Sequence, residues 1–178
     1  TGSQKALALP PGLALLTVSE RAFARAEKID GRGYYFDFIE FLKNHEKGMT
    51  QSTPAIPQIH GLKYTLDKIF EEGVDARHNR HAKLNGMVHD WVQQKGFVLL
   101  PEKQFASKAL TCVSNNLEMD VAGFVKALKN EKKLAIDGGY GKIKGKTFRI
   151  SNMGNETEDT MNHLLESMDE ILPRFLPN

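Results

Sequence analysis

The stretch that decides the predicted fold and function of this chain is TGSQKALALPPG, residues 1–12. Its one charged side chain, Lys5, stands between a small polar run and an apolar run that ends in Pro-Pro-Gly. We therefore expect the Lys5 ammonium to lie beside apolar surface. Removal from water disfavours the charged form of an amine, and a neutral amine can attack a carbonyl to form a Schiff base. On residue types alone, a vector-derived leader or a lysine at a strand edge explains the same pattern.

Length, charge and cysteine content limit the classes of function that the chain can have. Its 178 residues are enough to bury a core, and a formal net charge of +2 does not indicate a nucleic-acid or membrane partner. Cys112 is the single cysteine, so no internal disulfide can form. Because reduced thiols are typical of reducing compartments, we expect a cytoplasmic protein. No apolar run approaches the length of a membrane span.

The segments 1–7, 9–14 and 19–22 together resemble the sequence around the pyridoxal-phosphate lysine of class V aminotransferases. The resemblance is to the alanine–glyoxylate and serine–pyruvate branch, and it continues to the C-terminus. It implies an α/β fold: the C-terminal part of a fold-type I transferase, ending in a small domain with a mostly antiparallel sheet packed by helices. It also implies that Lys5 ends a strand and holds pyridoxal 5'-phosphate as a Schiff base, with Gln4 at the cofactor phosphate.

Hydrophobic spacing predicts the elements that surround this segment. A buried strand is expected over 13–18, a short helix capped by Ser19, and a helix within 34–47 that ends near Gly48. Two longer helices are expected to end at Gly73 and Gly96. Strands are then predicted over 97–100, 109–113, 134–136 and 147–151, with a helix capped by Asp120 and a last helix opened by Asn155 and Glu158.

The family resemblance divides the chain into three parts. Residues 1–53 correspond to the end of the large cofactor-binding domain, with the lysine strand and a dimer-interface loop. Residues 54–96 form linking helices, and 97–178 form the small C-terminal domain. The resemblance also implies that an upstream half of the same protein precedes residue 1. That half would supply the acid that pairs with the pyridine nitrogen and the residue that stacks on the ring.

The polar stretch 49–57, with prolines at 54 and 57, is predicted to be extended. From the residues alone, it is a connector with a hydroxyl-rich surface. In the family, the matching Thr-Pro loop crosses the dimer interface and its threonine binds the cofactor phosphate of the other subunit. The resemblance therefore implies a homodimer with shared active sites, in which Thr53 is a phosphate ligand.

Arg149 is the candidate substrate-binding residue. In a strand over 147–151, alternation turns Phe148 and Ile150 to one face and Arg149 to the other. The planar guanidinium can make two parallel hydrogen bonds to an amino acid's carboxylate, although a surface arginine paired with an acid is the alternative. The family has an Arg-Ile-x-x-x-Gly motif at this place, and residues 149–154 match it. The resemblance thus assigns the substrate α-carboxylate to Arg149.

Two other kinds of site are not supported by the spacing. His78 and His81 lie one helical turn apart, but no cysteine or carboxylate completes a metal-ligand set, and we expect no metal site. Around Gly145-Lys146-Thr147, a phosphate-binding loop would require glycine where Tyr140 stands and a helix after Thr147. We predict a turn followed by a strand.

Taken together, the resemblance implies transfer of an amino group from an alanine- or serine-type amino acid to a 2-oxo acid such as glyoxylate or pyruvate. The incoming amino acid would take over the imine bond between Lys5 and the cofactor. The freed Lys5 amine would then act as a general base at the substrate Cα–H. Two alternatives remain open. A cysteine desulfurase-like lyase usually has histidine before the lysine, where this chain has Gln4. The other alternative is a non-catalytic module on the same scaffold.

Overall fold

The computed structural model describes residues 1–177. In those residues the helices are α1 (Glu20–Ala26), α2 (Phe38–His45), α3 (Ile56–Glu72), α4 (Val74–Gln94), α5 (Val121–Ala127) and α6 (Glu158–Ile171), and the strands are β1 (Val98–Leu99), β2 (Leu110–Ser114) and β3 (Thr147–Ser151). The chain forms two compact units, Thr1–Asp67 and the residues from Lys68 onward. The three-part division expected from the sequence stays a prediction. None of the described helices combines the length and apolar character needed to cross a membrane.

The first unit consists of the lysine segment, α1, α2 and most of α3. Ser19 caps α1 as predicted, since its side chain accepts a hydrogen bond from the backbone N–H of Ala22. Asp37 caps α2 in the same way through Ile39, so this helix begins at Phe38, inside the predicted range 34–47. Gly48 has φ +66° just after α2, which is the left-handed conformation that favours glycine at the end of a helix.

The second unit is built around a three-stranded antiparallel sheet in the order β1-β2-β3. In the register of β2 and β3, Cys112 is opposite Arg149 and Val113 is opposite Phe148. Helices α4 and α6 contact each other, and α4 also contacts β1 and β2. The small antiparallel sheet with packed helices is therefore confirmed.

One continuous hydrophobic core lies beneath this sheet. Phe148 is fully buried and makes edge-to-face ring contacts with Trp91, Phe97 and Phe124. Residues of α4 and α6 complete the core at helical spacing. This packing fixes the strand that carries Arg149.

Three local predictions differ from the structure. Residues 13–18 form only one isolated bridge, between Gly2 and Ala14, because only a few residues of the preceding segment pair with them. Residues 134–136 form no strand, and the pairing nearest to them is the isolated bridge between Asp137 and Arg149. The last helix is capped by Thr157, whose hydroxyl accepts from the Thr160 backbone, so the prediction of Asn155 was wrong.

Candidate functional site

The lysine segment is a closed loop held by Ser3, which is fully buried. The Ser3 backbone N–H donates to the Leu13 carbonyl at 2.9 Å, and its hydroxyl donates to the Pro10 carbonyl at 2.7 Å. The Leu9 N–H donates to the Ser3 carbonyl at 3.1 Å. These bonds join the two ends of the loop, so that residues 4–8 form a turn whose ends are held together.

Lys5 lies in the turn of this loop and is exposed. Its carbonyl accepts a hydrogen bond from Ala8, a residue with φ +53°. Within residues 1–177, the Lys5 amine has no hydrogen bond or ion pair. The sequence predicted an apolar setting at a strand end, and both expectations differ from the structure of this chain. The neighbouring Leu7 and Leu9 are half-buried, and the Leu9 side chain lies against Gly61 instead of the amine.

Gln4 and Thr53 are both exposed. Their side chains make no hydrogen bond to the rest of the described chain, so their donors are available to a ligand. Thr53 lies in the loop before α3, and because α3 begins at Ile56, the predicted extended stretch 49–57 is wrong at its end. In the same loop, the Tyr34 hydroxyl donates to the Gln51 carbonyl at 3.4 Å. The lysine loop also approaches α3, since the space beside Gly12 is filled by Gln58. The contact predicted for Thr53 would come from another subunit, and a single chain does not test it.

Arg149 lies in the middle of β3, in the second unit. Its neighbours in the strand, Phe148 and Ile150, are fully buried, while the Arg149 side chain is 29% exposed. The predicted alternation of the strand is therefore confirmed for these three residues. The Arg149 Nε–H donates to Oδ1 of Asp137 at 2.9 Å, and Nη2 lies 2.8 Å from the same oxygen. One edge of the guanidinium is thus occupied by an acid.

Asp137 is the residue that sequence reasoning missed. Nothing in the spacing of carboxylates singled it out, because its pairing with Arg149 depends on the backbone bridge between the two residues. The available signal was the Asp-Gly-Gly turn at residues 137–139, where Gly139 has φ +89° and its N–H donates to the Asp137 carboxylate at 2.8 Å.

The histidines and the glycine-rich turn were the two other places where a site was considered. No cluster of histidine, cysteine or acidic side chains in residues 1–177 could hold a metal ion. The His81 Nδ1–H donates to the Asn152 carbonyl at 2.7 Å, and burial lowers the pKa of His81. After the glycine-rich turn, Thr147 begins β3 and no helix follows, so the geometry of a phosphate-binding loop is missing here.

Cys112 is half-buried in β2, and burial raises the pKa of its thiol. A reactive cysteine needs a lowered pKa and access to its target, which this position does not provide. Cys112 therefore gives no support to the cysteine desulfurase-like alternative.

The residues present fit pyridoxal 5'-phosphate chemically. An exposed primary amine without an ion-pair partner can react with an aldehyde, and the free donors of Gln4 and Thr53 suit phosphate oxygens. Arg149 retains guanidinium donors beyond those that contact Asp137. The described part of the chain thus holds groups that are chemically able to bind a phosphate, an aldehyde and a carboxylate.

Comparison with known proteins supports the same conclusion. The family described as Aminotransferase class-V matches residues 1–159. An uncharacterized aminotransferase from Methanocaldococcus jannaschii is 35% identical over 156 residues, which cover 86% of this chain and 40% of that protein. A serine–glyoxylate aminotransferase from Arabidopsis thaliana is 32% identical over 174 residues, covering 97% of this chain and 43% of that protein.

A solved structure gives the fold comparison. The alanine–glyoxylate aminotransferase from Nostoc sp. matches with a TM-score of 0.86 at 26% identity, over 96% of this chain and 46% of that chain. The chain therefore spans less than half the length of these relatives. Its structural neighbours have the fold-type I architecture of pyridoxal-phosphate enzymes. The chain belongs to the class-V aminotransferases, a family of pyridoxal-phosphate-dependent transferases.

Proposed function

We propose that the full-length protein containing this chain is an aminotransferase that moves an amino group from an alanine- or serine-type amino acid to a 2-oxo acid such as glyoxylate or pyruvate. The observation that carries the proposal is the exposed Lys5 amine, which has no hydrogen-bond or ion-pair partner among residues 1–177 and lies on a loop whose ends are joined by hydrogen bonds. Relatives that are serine–glyoxylate and pyridoxamine–pyruvate aminotransferases support this choice of substrates.

Lys5 is the proposed attachment point and proton carrier. Bound there, pyridoxal phosphate supplies an electrophilic carbonyl carbon and a conjugated ring that stabilises negative charge at the substrate Cα. Once released by the incoming amino acid, the Lys5 amine would be free to remove the Cα proton and to return it elsewhere. The Gln4 amide and the Thr53 hydroxyl are the proposed phosphate ligands, with Thr53 acting from the second subunit of a homodimer.

Arg149 is the proposed carboxylate-binding residue. A guanidinium fixes both the position and the plane of a carboxylate, and orientation of the Cα–H bond follows from that plane. Because every amino donor and oxo acid has this carboxylate, Arg149 does not select among side chains.

We further propose that an upstream half of the same protein completes each site and that the protein is cytoplasmic. The upstream half would hold the pyridine ring. Support for it comes from the shares of the relatives' length that this chain covers, which are 40%, 43% and 46%. The 178-residue chain alone is then expected to be inactive and to bind the cofactor poorly.

The test is a set of amino-transfer assays on the full-length protein. Alanine and serine serve as donors and glyoxylate and pyruvate as acceptors, and the Lys5→Ala variant should lose the coloured cofactor complex and more than about 10³-fold of turnover. The matched control is Lys47→Ala, which removes another exposed lysine of the first unit. Full turnover in Lys5→Ala would instead support a non-catalytic module, and sulfide release from cysteine without amino transfer would support a desulfurase-like lyase.

A further inference from the structure

The contact between Arg149 and Asp137 uses one edge of the guanidinium. A single carboxylate oxygen, Asp137 Oδ1, receives the Nε–H at 2.9 Å and lies 2.8 Å from Nη2. Nε and Nη2 form the side edge of the group, and Nη1 lies on the far side. Within residues 1–177, Nη1 has no hydrogen-bond partner. The end edge, formed by Nη1 and Nη2, can therefore donate hydrogen bonds to a carboxylate while the contact with Asp137 is kept.

Asp137 is itself held in place from three directions. Its backbone N–H donates to the Arg149 carbonyl at 3.2 Å, and its carbonyl accepts from the Arg149 N–H at 2.7 Å. Its carboxylate Oδ1 also accepts the Gly139 N–H at 2.8 Å. The acid is thus fixed to the same strand as the arginine and to the turn that precedes it.

The pair is not a buried ion pair, since the two side chains are 29% and 49% exposed. Such a pair contributes little to the free energy of folding. The ion pair instead restricts the conformation of the Arg149 side chain, because an arginine without a partner samples many rotamers. Asp137 is thus the acid that restricts the Arg149 side chain.

We propose that Asp137 is a positioning residue for substrate binding: it holds the side edge of the Arg149 guanidinium so that the end edge meets the substrate α-carboxylate. The inference rests on the proposed function and deepens it. The donors that bind the substrate α-carboxylate are then Nη1 of Arg149 and the outward hydrogen of its Nη2. Asp137 and the substrate are then simultaneous ligands of one guanidinium.

The kinetic test uses the full-length protein. Asp137→Ala should raise KM for the amino donor about tenfold and leave kcat within about twofold, because the carboxylate is held less well in both the ground state and the transition state. Asp137→Asn keeps an oxygen acceptor for Gly139 and Arg149 and should rescue part of the loss. Asp90→Ala, which removes an exposed acid without a hydrogen-bond partner in the described chain, is the control and should change neither constant. A KM for Asp137→Ala that is unchanged or lower than that of the wild type overturns the proposal.

A second measurement needs no variant and no turnover. The Nε–H proton of Arg149 should give a slowly exchanging NMR signal in the full-length protein, and titration with propionate should shift the Nη signals while the Nε–H signal persists. Loss of the Nε–H signal on titration would show that the carboxylate displaces Asp137, and no response to propionate would show that Arg149 binds no carboxylate. Either result overturns the inference. If the wild type transfers no amino group, the proposed function fails, and this titration still decides the role of Asp137.

Discussion

The two units of the chain are built differently. In the unit from Lys68 onward, a continuous core includes Phe148, the strand neighbour of Arg149. Among the described residues of the unit Thr1–Asp67, Ala26 is the one buried hydrophobic residue, and Phe36 is 77% exposed. That unit also has an open apolar cavity of about 560 Å³ lined mainly by α2 and residues 13–18. The strand that carries Arg149 is thus supported by the core of its own unit, whereas the ends of the lysine loop are joined by hydrogen bonds but no core encloses the loop.

The two proposed site residues are therefore supported in different ways. Arg149 is oriented by contacts within its own unit, to Asp137 and to the core under β3. Lys5 is presented by a loop whose hydrogen bonds are local, and the apolar surroundings that its chemistry needs are not provided by the described residues. We expect the upstream half proposed above to provide them.

The largest expected effect on the free energy of unfolding comes from a substitution in the core of the second unit. Phe148→Ala should lower the free energy of unfolding of the 178-residue chain by about 3–5 kcal/mol, because it removes a fully buried ring and leaves a cavity. The matched control is Phe36→Ala, for which we expect a change within about 0.5 kcal/mol. Chemical denaturation followed by the fluorescence of Trp91, the single tryptophan, measures both. Equal losses in the two variants would contradict the contrast between the units.

The next effect concerns the arginine itself. In the full-length protein, Arg149→Ala should lower kcat/KM about 100-fold, since the substrate carboxylate loses its bidentate partner. Arg149→Lys should recover only part, because an ammonium cannot form the planar pair of hydrogen bonds. Arg174, an exposed arginine paired with Glu131, provides the control Arg174→Ala. Steady-state kinetics that give Arg149→Ala a kcat/KM within threefold of wild type would remove Arg149 from the site.

The smallest expected effect concerns the ion pairs of Glu72 in the second unit. Hydrogen bonds from Arg80 and then Arg77 lower the pKa of Glu72 to about 2 from an ordinary 4.5. A carboxyl group with a lowered pKa in the folded state stabilises the protein above its ordinary pKa, and this contribution is lost as pH falls towards the folded value. Glu72→Gln should therefore cost about 1–3 kcal/mol at pH 7 and progressively less between about pH 4.5 and 2.

The control for this experiment is Glu71→Gln, because the Glu71 side chain is 69% exposed and its pair with Lys68 is on the surface. We expect it to change the free energy of unfolding by less than about 0.5 kcal/mol at every pH. Denaturation curves collected across this pH range compare the two variants. A Glu72→Gln cost that does not decrease towards pH 2 would mean that the charge of Glu72 is not what stabilises the unit.

Much of the fold was predictable because its signals are local. Ser19 and Asp120 cap helices where the sequence indicated, and the stripe containing Leu84, Val88 and Trp91 is the buried face of α4. The strand over residues 13–18 was not correctly predicted, since an apolar run becomes a strand only where a partner strand is present. The Asn155 cap failed because Thr157, two residues later, offers a competing hydroxyl.

The candidate site was predictable only as a set of residue types. The motifs around Lys5 and Arg149 are continuous in sequence, so the family resemblance was enough to indicate them. Asp137 was missed because its role depends on the register of a bridge, which no spacing rule specifies. The roles of Gln4, Thr53, Lys5 and Arg149 remain predictions.

The most direct test of the central claim is borohydride reduction of the full-length, cofactor-loaded protein, followed by peptide mapping. Reduction makes the bond between an amine and an aldehyde permanent, so the modified lysine can be identified by mass. The account predicts one added pyridoxyl group, on Lys5. A label on any other lysine, or no label in a protein that transfers amino groups, would contradict it.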